Sequence, residues 1–263
     1  MVKIYKFCIL LIEKFFCLHT FAVISLDEVD STNNYAKEAV KAFSPADFTI
    51  IKASVQKQGK GQGKNFWYSE KDKNLTISII IYPKMLLPEQ QFKLSVMTSL
   101  AICDLLQTHN IQDVQIKWPN DILVKGKKIC GILIENTICS NHIENSVIGI
   151  GLNINQDSFP SFLPDATSMY IITGKTYIID SCLQELAHAL YLRYQQVQDA
   201  EDSFFYVEYL QRLYGYNQQM LFRDKQGLFK ANIKGINEYG LLLLLDTHGT
   251  LRTYRNQEVI YVK

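Results

Sequence analysis

What the chain lacks narrows its chemistry. Its six cysteines (Cys8, Cys17, Cys103, Cys130, Cys139 and Cys182) include no Cys-x-x-Cys pair. That excludes the usual spacing of a structural zinc site and of a small disulfide scaffold. They read instead as small buried hydrophobes in a reducing, cytoplasmic setting. The five histidines form no His-Glu-x-x-His and no Gly-x-Ser-x-Gly occurs, so metalloprotease and serine-hydrolase chemistry lack their core motifs. An excess of one charge is missing too: 27 Lys and Arg against 26 Asp and Glu leave a net charge of +1. No global field recruits nucleic acid or an anionic membrane, and any basic site must be local. The apolar run at residues 7–12 is broken by Glu13 and Lys14, too soon for a membrane span. No small-x-small cleavage site follows it, which argues against a signal peptide. Residues 1–21 therefore read as an extra segment of uncertain structure.

What is present fits a globular protein: 263 residues, 48% hydrophobic and 20% charged, are enough for one medium domain plus a small one. Residues 22–29 read as a strand. Ala36, Ala39, Val40 and Phe43 then recur at helical spacing behind a Ser31 or Thr32 N-cap. Residues 48–55 and 74–82 are strands, the second with Leu75, Ile77, Ile79 and Ile81 on one face. Pro88 and Glu89 open a helix to about residue 108. A strand ending at Trp118-Pro119 is followed by two apolar runs around the 125–128 turn, a hairpin. Residues 145–155 form a further strand, with Gly149 and Gly151 on one side of it. Residues 166–169 lead into an irregular stretch. Ser181 and Gln184 suggest a capping box for a helix to about 198, and a second helix spans 202–213. Beyond Gly215 the pattern changes to five short strands, a small all-β module. The expected division is 22–214 and 215–263.

Three stretches carry chemistry. Gly59, Gly61 and Gly63 alternate with Lys60, Gln62 and Lys64. Such a loop can aim successive N–H groups at an anion, or it can be a flexible hairpin tip. It is neither a Walker A loop nor a dinucleotide fingerprint. The helix start at Ser31 points N–H groups at whatever binds before it, although most such hydroxyls only cap. The run Lys117-Trp118-Pro119-Asn120-Asp121 with Lys125, Lys127 and Lys128 puts an amide, a carboxylate and cations near strand ends. Alone, it could equally be a good turn with solvated charges.

Together the stretches resemble a known family. Asp-Ser-Thr-Asn before a helix, a Gly-Lys-Gly-Gln loop ending at Trp67, Lys-Trp-Pro-Asn-Asp, Lys-Ile-Cys-Gly-Ile-Leu-Ile-Glu and Gly-Ile-Gly-Leu-Asn-Ile-Asn occur in that order. This resembles the biotin–protein ligases, or biotin–[acetyl-CoA-carboxylase] ligases, over residues 22–263. The resemblance implies an α+β fold: a mixed sheet flanked by helices, related to class II aminoacyl-tRNA synthetases, then a small SH3-like β-barrel. It implies the monofunctional type, since the segment before the first strand is too short for a DNA-binding domain. The implied reaction makes biotinyl-5′-AMP from biotin and ATP, then transfers the biotinyl group to a lysine of a biotin carboxyl carrier protein. Neither nucleic acid nor membrane is implied as a partner, and a monomer or weak homodimer is expected.

By the same resemblance Ser31, Thr32, Asn33 and Gln56 would hold biotin, with Lys60, Gly61, Gln62, Lys128 and Gly131 around it. Gly59, Lys60, Trp67, Asn120, Gly149, Gly151 and Asn153 would hold the nucleotide. Lys128, Lys60 and Asp121 would act in catalysis. Asp121 is also the candidate ligand for the Mg2+ that accompanies ATP, or else it orients the acceptor lysine or holds the turn. The loop departs from the family pattern: Lys60 replaces an arginine, keeping charge but losing bidentate geometry, and Gly63-Lys64 reverses the usual Arg-Gly order. The alternatives are a lipoate–protein ligase and a non-catalytic biotin-binding protein.

Overall fold

The computed structural model describes residues 21–63, 65–198 and 203–262, so expectations for residues 1–20 and for Lys64 lie outside the described residues. The chain runs β1 (Val23–Val29), α1 (Thr32–Phe43), β2 (Thr49–Gln56), β3 (Leu75–Ile81), α2 (Phe92–Thr108), β4 (Val114–Lys117), β5 (Asp121–Val124), β6 (Lys127–Cys139) and β7 (His142–Leu152). Then come α3 (Met169–Thr173), α4 (Ile179–Gln198), α5 (Ser203–Arg212), β8 (Gln219–Asp224), β9 (Gly227–Ile236), β10 (Leu242–Asp246), β11 (Leu251–Tyr254) and β12 (Ile260–Val262).

The first seven strands form one sheet in the order β1-β2-β3-β7-β6-β5-β4. Only β1 and β2 pair in parallel, which makes the sheet mixed. The β-branched run of β3 sits near its middle with every residue buried. Its two faces differ. Leu75, Ile77, Ile79 and Ile81 join the large apolar cluster with α2 and α4, as their alternation predicts. Ile80 packs with Ala36, Ile51 and Val147 beneath α1. Thr76 and Ser78, the other buried residues of that second face, are polar. The candidate site lies on this polar face, where the sheet meets the start of α1.

Strands β8 to β12 form a second, antiparallel sheet in the order β11-β10-β9-β8-β12. The indole N–H of Trp118 donates to the Gly240 carbonyl at 3.0 Å, Tyr214 N–H to the Ile116 carbonyl, and one apolar cluster runs through both sheets. The Trp118-Pro119 bond between β4 and β5 is cis.

Three local expectations change. The helix expected at Pro88 begins as a 3₁₀ turn, Pro88–Gln90, in which the Gln90 side-chain oxygen accepts from Leu87 N–H before α2 starts. Residues 169–173 are helical, because the Ser168 hydroxyl accepts from Ile171 N–H. The Ser181–Gln184 capping box is not the start of α4: both residues lie inside a helix that begins at Ile179. Asn155 fixes the chain just ahead by exchanging two hydrogen bonds with the Tyr177 backbone. Among the described residues no helix is long and apolar enough to cross a membrane.

Candidate active site

Helix α1 starts at the end of β1, and β2 runs parallel beside that strand. This brings Gln56, the last residue of β2, to the helix N-terminus. Ser31 is the N-cap residue, but its hydroxyl makes no capping bond. The role falls to Gln56, whose Oε1 accepts from Thr32 N–H at 2.8 Å and from Thr32 Oγ1 at 3.0 Å. A neighbouring strand thus satisfies an orphan donor of the helix. The Asn33 carboxamide extends inward, donating to Leu133 O and to Glu135 Oε2. Ser31, Thr32 and Asn33 are all nearly fully buried.

The glycine loop follows β2 and folds into a tight tip. Gly61 N–H donates to Asn65 O, and Trp67 N–H to Gly59 O. A Cβ on Gly59 would stand 2.5 Å from the Trp67 carbonyl oxygen, so only glycine permits this closure. Gly61 N–H is engaged within the tip, which differs from an open nest aimed at an anion. Lys60 is exposed, and its Nζ donates to Asn34 Oδ1 at 2.6 Å. Asn34 in turn donates to Asp30 Oδ2, and that bond holds the Asp30 carboxyl below the usual range.

Lys128 approaches from the opposite wall. The β5–β6 register shifts there, with Ile122 facing Cys130 and Leu123 facing Lys128. The extra residue, Ile129, makes a bulge, a device that re-aims a side chain. Residues 165–167 fix the Lys128 backbone: its N–H donates to Asp165 O and its carbonyl accepts from Thr167 N–H. The Lys128 ammonium lies 2.6 Å from Asp121 Oδ1 and 5.8 Å from the centre of the Trp67 ring. Asp121 is therefore committed to Lys128, and among the described residues no cluster of His, Cys, Asp or Glu could hold a metal ion.

Between these walls lies one cavity, bordered by Ser31, Thr32, Asn33, Gln56 and Lys60 on one side and by Asp121 and Lys128 on the other. Gly61, Gln62, Trp67, Asn120, Gly131, Gly149 and Gly151 also border it. Gly59 and Asn153 do not. Asn153 is buried, donates to Thr167 O at 2.9 Å, and keeps an unpartnered Oδ1. Asn120 pairs with β6, both its backbone oxygen and its Nδ2 bonding to Ile132.

On β7 the protein's own side chains cover the two glycines. Gly151 stands opposite Gly131, and the Trp67 indole lies on the pair, 2.3 Å from where a Gly151 Cβ would be. Space at Gly149 is taken by the Asn33 carboxamide. Trp67 Nε1 is a buried donor without a partner. Ser78, Glu135 and Lys37 carry no expectation from sequence, yet they support this wall. Their trace is a serine inside the apolar β3 and charges at ordinary helical or strand positions.

Residues 26–153 match the model of the Biotin/lipoate A/B protein ligase family. The chain is 30% identical over 237 residues to the bifunctional ligase/repressor BirA of Bacillus spizizenii, covering 88% of this chain and 72% of that protein. It is 28% identical over 156 residues to the biotin–[acetyl-CoA-carboxylase] ligase of Paracoccus denitrificans, covering 57% and 62%. The fold is shared with the biotin protein ligase from Aquifex aeolicus solved with biotin and ATP: TM-score 0.77, 24% identity, 92% of this chain and 99% of that one.

Proposed function

The chain belongs to the biotin/lipoate A/B protein ligase family, and from that premise we infer that it is an ATP-dependent biotin–protein ligase. Its substrates are biotin, ATP and a biotin carboxyl carrier protein, with Mg2+ arriving on the nucleotide. First, a carboxylate oxygen of biotin attacks the α-phosphorus of ATP. An acyl–phosphate bond forms and pyrophosphate leaves. The ε-amine of the carrier lysine then attacks the acyl carbon; the C–O bond breaks toward AMP and the nitrogen gives up a proton.

One observation carries the reading. Two lysines on different elements, Lys60 and Lys128, border a single cavity whose floor carries the neutral polar groups of Ser31, Thr32, Asn33 and Gln56 beside apolar Ile77, Ile132, Leu133 and Ile150. Bringing a carboxylate to a triphosphate requires positive charge on both sides of the reacting oxygens. A ureido ring requires fixed neutral donors and acceptors, which Thr32 and Gln56 supply. We assign Lys128 to the acyl-phosphate oxygens, with Asp121 orienting it, and Lys60 to the phosphate side. The unpartnered Trp67 Nε1 suits an acceptor atom of the bound substrate. A dithiolane ring would leave the polar groups of Thr32 and Gln56 unpaired, which disfavours lipoate.

The test is ATP–pyrophosphate exchange with biotin and lipoate in parallel, followed by the mass of an apo carrier domain after incubation with biotin and MgATP. Biotin-dependent exchange and one added biotinyl group are expected. Lys128→Ala should lower exchange on the order of 10²–10³-fold, as for other lost transition-state donors. Its thermal midpoint should barely move, because the half-exposed pair with Asp121 contributes ~0–1 kcal/mol to folding. Tight biotin binding without exchange would overturn the enzyme reading, and a preference for lipoate would overturn the substrate.

A further inference from the structure

Ser78 is fully buried in β3, opposite Gly149 of β7. Its Oγ lies 2.7 Å from Thr32 Oγ1 and 2.6 Å from Asn33 Oδ1. A hydroxyl has one proton to donate, and both neighbours turn an acceptor oxygen to it, so that proton is shared between them in a three-centre bond. Their polarity is fixed from outside. Asn33 Nδ2 donates to Glu135 Oε2 at 2.8 Å and to Leu133 O at 3.2 Å, which turns Oδ1 toward Ser78 as an acceptor. Gln56 Oε1 accepts twice from Thr32, so the Thr32 proton points to Gln56 and the Thr32 oxygen is left accepting. With its oxygen engaged, Gln56 has its NH₂ group left as the donor.

The outer end of this relay is an ion pair. Lys37 Nζ lies 2.7 Å from Glu135 Oε1, at the protein surface. Burial pushes the Glu135 carboxyl up, but the hydrogen bonds from Lys37 and Asn33 outweigh it and hold it below the usual range. Glu135 thus stays ionised and fixes the Asn33 amide. A side chain at 149 would displace that amide, since its Cβ would fall 2.3 Å from Asn33 Oδ1.

We propose that Ser78 is a positioning residue for the substrate ring: held through Asn33 by the Lys37–Glu135 pair, it locks Thr32 as an acceptor and Gln56 as a donor, and thereby selects a cyclic urea. The inference rests on the biotin reading above. A ureido group carries one C=O and two N–H, and the floor meets it with a Gln56 donor and a Thr32 acceptor. A cyclic guanidine has no carbonyl and meets the same donor poorly.

The experiment compares biotin with 2-iminobiotin in pyrophosphate exchange by the full chain. Ser78→Ala should raise the biotin KM about 5- to 50-fold, the range of a lost buried hydrogen bond. The preference for biotin over iminobiotin should shrink by a similar factor, while kcat and the ATP KM stay within about twofold. Ser78→Cys, a weaker donor of similar size, should recover part of the preference. Lys37→Met, at the half-buried outer end and outside the cavity, should move preference the same way by less; it decides the matter should the Ser78 variants not fold. A Ser78→Ala enzyme that keeps its preference overturns the relay, as does one that loses kcat and thermal stability with preference unchanged. A wild-type chain without biotin-dependent exchange overturns the biotin reading itself, a different outcome from an active wild type indifferent to these substitutions.

Discussion

A glycine on a strand is ambiguous in sequence, and Gly149 and Gly151 illustrate what coordinates add. Period-two alternation puts both on one face. It does not say what fills the space. Neighbouring strands decide that: Gly151 pairs with Gly131, and the two together seat the Trp67 indole, whereas Gly149 gives way to Asn33. Gly151→Ala would place its Cβ against Cε2, Cδ2 and Cζ2 of Trp67 at 2.3, 2.6 and 2.7 Å, so the ring must move. We expect a destabilisation of about 1–3 kcal/mol from overpacking. The ATP KM should rise with it, because Trp67 forms part of the cavity wall. Intrinsic fluorescence reads the ring directly, since Trp67 and Trp118 are the chain's two tryptophans. An unchanged emission spectrum and midpoint would show that the ring does not rest on these glycines. Among other site residues, the lysines and Gln56 were legible from composition and order. Ser78 was not, because a buried serine becomes informative only when its partners, 45 and 46 residues away in sequence, are known.

Elements were readable where one physical cause dominates. Alternating or β-branched runs gave β2, β3 and β7, and helical spacing gave α1 and α2. Capping was not readable where it came from a distant residue, although the start of α1 behind Ser31 was. Gln56 caps α1 across 24 residues, and Asn155 fixes the approach to α4 across 22. The β4–β5 turn shows the same long reach. Its Trp118 reads as the last strand residue within the candidate motif, yet the indole spans to the second sheet and bonds Gly240 O in a buried position. Gly240 itself has no room for a side chain, because a Cβ would lie 2.5 Å from the Phe92 ring. Trp118→Phe removes that donor and some volume. It should cost about 1–3 kcal/mol, by leaving a buried carbonyl unpaired and a small void. Urea unfolding measures this. The biotin KM should change little, since Trp118 does not border the site cavity. A loss of biotin affinity without a loss of stability would place Trp118 in substrate binding instead.

At the scale of the molecule, the helices behind the sheet are joined by charge as well as by apolar packing. Arg193 of α4 donates from Nε and Nη2 to Asp104 of α2, and from Nη1 and Nη2 to Glu208 of α5. Arg212 adds a third contact to Glu208 at 3.0 Å. Burial pushes the Glu208 carboxyl up, but Arg193 and then Arg212 pull it below its ordinary value of 4.5. The sign follows from linkage. A carboxyl with a depressed folded pKa stabilises the native state at pH values above its unfolded pKa, and this stabilisation is lost as pH falls through the folded value. Glu135, on the opposite face of the sheet, shifts in the same direction and adds to the same acid limb. The urea midpoint should therefore be level from neutral pH down to about 5 and fall below it. Glu208→Gln should start from a lower midpoint at neutral pH and fall less steeply in acid, so that the two curves converge as the wild-type carboxyl protonates. Parallel curves, with a constant gap down to the acid limit, would mean that Glu208 acts through packing, and that the three helices are held without help from its charge.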